Sequence, residues 1–232
     1  GFANFMAAKA AEAIVPQLEP WSAFHALKTN AYRIDATAGT TPLRQPLANL
    51  SAAKSAYGAI VYSKGPAVLR QAEFYLGAAI FRRAVRDFLQ RHAWGAADWS
   101  DMVRAFERAA GRDLQDWAAA WVNRRGLPNV TLQWRGGALW LAQEDALAER
   151  GSWPQKLVVA AAGEDGQVRT SETRLEQRST RVVGPAAHPA AAVRCTAAAR
   201  IEAERSSKAA ARIAADGRAR SEERRVGKEG SH

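Results

Sequence analysis

The chain has 232 residues, 47% of them apolar, with a net charge of +10 and a single cysteine. That length suits one large or two small domains; no run approaches the roughly 20 apolar residues of a membrane span, and one thiol, Cys195, excludes an intrachain disulfide or a thiol-rich metal site. The positive charge is spread thinly, with ten Lys+Arg against six Asp+Glu in residues 186–232 and no dense basic patch elsewhere, so no nucleic-acid partner is expected.

Residues 2–15 (FANFMAAKAAEAIV) place Phe2, Phe5, Met6 and Ala13 on one side of a helix that Pro16 ends, since proline lacks the N–H donor and clashes with the previous turn. A second helix is predicted from Trp21 to about Arg33, with Ser22 as its cap. Residues 35–49, with Gly39, Pro42 and Pro46, read as a loop, and residues 51–61 are Ala-rich and ambiguous. Pro66 to Leu76 forms a helix, because proline is tolerated at a first helical position, and Gly77 interrupts it. Ile80, Phe81, Ala84, Val85, Phe88 and Leu89 then repeat at helical spacing up to His92. Ser100 is expected to cap the helix that carries Met102, Val103 and Phe106 and stops at Gly111. Asp113 and Asp116 open another, where the helix dipole favours carboxylates, and Trp117, Ala120 and Trp121 form its buried stripe.

Beyond Gly126-Leu127-Pro128 the period changes to two. Val130 to Trp134, the turn Gly136-Gly137 and Ala138 to Gln143 are a hairpin signature. Gln155–Ala162, Gln167–Thr173 and Ser179–Val183 add strands, with Glu164-Asp165-Gly166 as a turn, so residues 127–185 are expected to form a small antiparallel β domain. Residues 186–232 have almost no large apolar side chains to offset chain entropy and read as a disordered or non-native tail. The expected class is α+β.

The candidate chemistry lies in Tyr62-Ser63-Lys64-Gly65, which runs directly into the helix at Pro66. A tyrosine one turn before a helix can present its phenol to a reacting group, or it can pack on that helix with its hydroxyl bonded to a carbonyl. Tyr57, five residues earlier, reads as a packing residue, Arg70 as an exposed helix arginine, and Lys64 with Gly65 as shaping the turn, the lysine stem packed and its amine paired. No two of His25, His92, His188 and His232 have the i, i+4 spacing of a helical zinc pair, so the chain carries no recognisable metal site.

Taken in order, these features resemble the aminopeptidase N and leukotriene hydrolase family of zinc metallopeptidases. Gly1-Phe2-Ala3 looks like the end of the family's Asn-Glu-Gly-Phe-Ala stretch, and Asp35 with Thr41-Pro42 resembles its Asp-x-x-x-(Ser/Thr)-x-His-Pro loop, with Thr41 in place of the common His. Tyr62-Ser63-Lys64-Gly65 matches the Tyr-x-Lys-Gly segment, followed by a similar helix with Gly77, Phe81, Phe88 and His92, and a close with Trp117, Trp121, Gly126 and Pro128.

The resemblance implies the helical distal half of a gluzincin catalytic domain in residues 1–126, followed in 127–185 by the start of a β-sandwich-like domain. It implies that the zinc ligands lie upstream, the third being the glutamate just before Gly1, and that a zinc-bound water attacks the N-terminal peptide bond of a peptide substrate. It assigns Tyr62 as the donor that stabilises the oxyanion. On this reading the chain is part of an aminopeptidase and inactive alone. The rival expectation is a non-catalytic helical protein-interaction module.

Overall fold

The computed structural model describes residues 1–149, 151–162, 167–183 and 193–196. The chain forms two compact units. One comprises Gly1–Val130 with Gln143–Gln155 and Leu175–Arg178; the other comprises the described residues of Thr131–Ala142, of Lys156–Arg174 and from Ser179 onward. The architecture is α+β.

In the first unit, α1 spans Phe2–Ile14 and buries Phe5. The Phe5 ring meets Phe81 edge-on at 5.6 Å and Trp21 at 6.2 Å, the tilted and T-shaped geometries that aromatic quadrupoles favour. Helix α2, Pro20–Asp35, begins earlier than Ser22 as a cap would allow. Pro20 takes the first helical position, where its missing N–H is no loss. Glu19 becomes the N-cap, and the Ser22 hydroxyl, inside the first turn, donates to the Glu19 carboxylate at 2.9 Å.

The ambiguous stretch resolves into α3, Leu50–Ser55, capped by Asn49, whose Oδ1 accepts the Ala52 N–H at 2.9 Å, followed by a π-helical turn, Ile60–Lys64. Helix α4, Gly65–Leu76, continues from that turn. Helix α5, Ala78–Arg91, follows Gly77, whose φ of 90° reorients the chain between the two. Helix α6, Trp99–Ala110, is capped by Asp98 rather than Ser100: Asp98 accepts the N–H groups of Ser100 and Asp101, and Asp101 returns the bond to the Asp98 N–H. Ser100 stands two residues past the cap, inside the first turn. Helix α7, Gln115–Ala118, passes into a second π-helical turn, Ala119–Asn123. Trp117, Ala120 and Trp121 are buried there, and Phe106 packs between Phe81 at 5.4 Å and Trp117 at 6.2 Å.

The strands are β1 Pro128–Arg135, β2 Ala138–Asp145, β3 Gln155–Ala162, β4 Val168–Leu175, β5 Ser179–Arg181 and β6 Val193–Thr196, in two three-stranded sheets ordered β1-β2-β5 and β4-β3-β6. Gly136 and Gly137 both have positive φ, 53° and 71°, as a tight two-residue hairpin turn requires. Strand β2 pairs antiparallel with β5, Leu141 opposite Thr180, and β3 antiparallel with β6, Val159 opposite Cys195. Strand β6 falls inside the segment read as tail; its partner edge on β3 supplies the hydrogen bonds that its own composition does not suggest. The expected turn at residues 164–166 and the rest of 186–232 lie outside the described residues.

Candidate functional site

Tyr62 lies in the π-helical turn, and the reason for that turn is local. Gly65 N–H bonds the carbonyl of Ile60, five residues back. The next residue, Pro66, has no N–H, so the carbonyl four residues before it, that of Tyr62, loses its ordinary helical donor. The Asn4 side-chain amide of α1 takes the vacated place, donating to the Tyr62 carbonyl at 3.2 Å. Gly1 packs against the same turn: a Cβ on Gly1 would stand 3.1 Å from the Val61 carbonyl, and one on Gly65 would stand 3.4 Å from the Gly1 Cα. Two glycines are what let the start of α1 approach the start of α4 this closely.

The Tyr62 side chain is 45% exposed. Its ring meets that of Tyr57 in a T-shaped contact at 5.9 Å, so Tyr57 packs on the candidate donor itself. Among the described residues the Tyr62 hydroxyl has no hydrogen-bond partner. Tyr57 and Val61 also line a cavity of about 720 Å³ with Leu43, Arg44, Pro46 and Trp99. A smaller cavity of about 200 Å³ lies between Gly1, Phe2, Gly65, Leu69 and Trp99.

The end of the turn is anchored by charge. Lys64 is only 5% exposed. Its Nζ lies 2.7 Å from Asp35 Oδ2, at the end of α2, and donates to the Gly126 carbonyl at 2.7 Å. The other carboxylate oxygen, Asp35 Oδ1, accepts the Thr40 hydroxyl at 2.8 Å and the Gly126 N–H at 3.2 Å. Gly126 is thus gripped at both its donor and its acceptor. Burial pushes the Lys64 ammonium below the usual lysine range, and the Asp35 carboxylate opposes that push. The Trp153 ring lies under the ammonium at 5.6 Å and under the Arg124 guanidinium at 4.1 Å.

The other candidates are occupied structurally. The Arg70 guanidinium stacks on Trp21, 3.3 Å from its centroid, and is not a free exposed arginine. His92 lies 3.7 Å from Asp101 and against Phe88. Trp121 is core, its Nε1 donating to the Pro154 carbonyl at 2.7 Å, and Asp113 accepts the Gln115 N–H at the start of α7. Among the described residues no three His, Cys, Asp or Glu side chains converge as a metal site. The sequence reading missed Asn4 and, although it expected the Lys64 amine to be paired, did not name Asp35 as its partner. A signal for the second was present: a lysine inside an apolar stretch is almost never buried without a carboxylate.

The turn, its anchor at Asp35 and the helices around them fall within residues 1–121, which match the Peptidase family M1 domain. The chain belongs to that family. It is similar to Aminopeptidase M1-C of Oryza sativa subsp. japonica, 27% identical over 173 residues that cover 73% of this chain and 20% of that protein. It is 29% identical over 163 residues to Tricorn protease-interacting factor F2 of Thermoplasma volcanium, covering 68% and 21% of the two chains. With Aminopeptidase N of Streptomyces lividans it shares 35% identity over 108 residues, 46% of this chain and 13% of that one. The chain spans about a fifth or less of the length of these curated relatives.

Proposed function

We propose that this chain is the distal part of the catalytic domain of a zinc-dependent aminopeptidase, residues 1–126, with the start of a β-sandwich domain in 127–185, and that Tyr62 donates its hydroxyl to the oxyanion. Membership of family M1 and relatives named aminopeptidases support the reaction class. The observation that carries the assignment of Tyr62 is its phenol, half-exposed on a turn pinned by Asn4 and Lys64 and without a hydrogen-bond partner among the described residues.

In this reading the zinc ligands belong to another segment of the parent protein, and the chain alone hydrolyses nothing. Its own contribution is a preplaced donor. As water adds to the N-terminal peptide bond, the carbonyl oxygen gains negative charge, and a neutral phenol at hydrogen-bond distance stabilises that charge more than the ground-state carbonyl. A phenol suits the task because it keeps its proton near neutral pH and extends far from the backbone.

The test is turnover of an alanine chromogenic substrate by the chain joined to its zinc-binding segment, comparing Tyr62 with Tyr62→Phe at equal zinc content. Loss of one oxyanion donor lowers kcat by about 10²–10³. Unchanged kcat would make Tyr62 a packing residue.

A further inference from the structure

We infer that Lys64 is a positioning residue for Tyr62: its buried ammonium, fixed between the Asp35 carboxylate and the Gly126 carbonyl, holds the π-helical turn in register and thereby aims the phenol. The inference rests on the reading of Tyr62 as the donor and adds how that donor is held.

Lys64 and Tyr62 share one turn, Ile60–Lys64, two residues apart. π-helical turns carry poorer backbone geometry than α-helix and persist where surrounding contacts hold them. Here Pro66 removes one backbone donor from the turn, and the Asn4 amide replaces it at the Tyr62 carbonyl. Among the described residues the Tyr62 ring has one aromatic contact, the Tyr57 ring at 5.9 Å, and Tyr57 is itself 65% exposed. The firm attachment is at the other end of the turn, where Lys64 Nζ makes two bonds of 2.7 Å to groups that are distant in sequence.

Relaxing the turn to ordinary α spacing would rotate its side chains by about 100° for each residue of slip. That rotation would carry Lys64 away from Asp35 and leave a carboxylate buried and unpaired, which opposes the slip strongly. The same rotation would carry Tyr62 away from Tyr57. The charge pair and the direction of the phenol are therefore linked through one rigid turn.

The experiment uses the 232-residue chain with ¹³C-labelled tyrosine rings. It reads the Tyr57–Tyr62 inter-ring nuclear Overhauser contact and the Tyr62 ring shift, with the Tyr75 ring as the internal control of folding. Three variants are compared: Lys64→Met, the double variant Lys64→Met with Asp35→Leu, and the isosteric Asp35→Asn. The expected result is a folded double variant, Tyr75 signals unchanged, in which the inter-ring contact is lost and the Tyr62 signals average. Asp35→Asn is expected to weaken the same contact. A folded double variant or a folded Asp35→Asn chain with contact and shift unchanged would overturn the inference. Since none of these readouts uses catalysis, a failure here and a failure of Tyr62→Phe to lower kcat are separate results.

Discussion

The ammonium of Lys64 and the carboxylate of Asp35 lie 2.7 Å apart with side chains 6% and 2% exposed, and both also bond Gly126. Such a pair stabilises little relative to an apolar replacement of both partners, yet losing one partner strands the other charge. Lys64→Met alone is therefore expected to lower unfolding free energy by about 3–5 kcal/mol. The double variant with Asp35→Leu should recover most of that loss. Urea unfolding of the three chains checks this, and a single variant as stable as the double would refute it.

Asp98 and Asp101 form a reciprocal cap at the start of α6. Asp98→Ala should cost about 1 kcal/mol, within the range of lost N-caps. Ser100→Ala, at the position that the sequence suggested as cap, should change stability by no more than about 0.5 kcal/mol. Thermal unfolding of the two variants distinguishes them.

Gly126 has φ of 84°, and a Cβ there would stand 3.0 Å from Leu147 Cδ1. Both facts oppose a side chain. Gly126→Ala is expected to destabilise by about 1–2 kcal/mol from the left-handed backbone alone. Gly39, with nothing within 4 Å of its Cβ position, is the control, and Gly39→Ala should be neutral or slightly stabilising.

Acid should weaken the fold through two half-buried carboxylates. Hydrogen bonds from Arg108 and then Arg91 hold Asp87 below its usual 3.8, and the Asp98 N–H, aided by Arg104, does the same for Asp101. Because the folded pKa is depressed, the unfolded chain takes up the proton first as pH falls. The stabilisation is present above 3.8 and is lost as pH drops through the folded values. Urea midpoints measured from neutral pH to below 3.8 should fall less steeply for the Asp87→Asn, Asp101→Asn double variant than for the parent. Parallel curves would contradict this.

Tyr62 could be singled out as a candidate from the sequence because the motif and its ordered neighbours are local. Its partners could not. Asn4 lies 58 residues away, and Asp35 and Gly126 reach Lys64 from opposite sides of the chain. Periodicity reports which face of an element is buried and is silent about which residue it meets. The π-helical turn was equally hidden, since the residues around it fit either helical spacing; Pro66 removes a donor without stating which group will replace it.

By itself the sequence determined the α+β class, the helices bounded by Pro16, Gly77 and Gly111, the Gly136-Gly137 hairpin and the family resemblance, because each depends on local stereochemistry or on a short run of side chains. The tertiary structure alone decided that Asp98 caps α6, that β6 pairs with β3, and that Lys64 closes on Asp35 and Gly126. Those contacts arise when buried polar groups, stripped of water, must find partners in space, and the partner that satisfies them is set by the packing of distant segments.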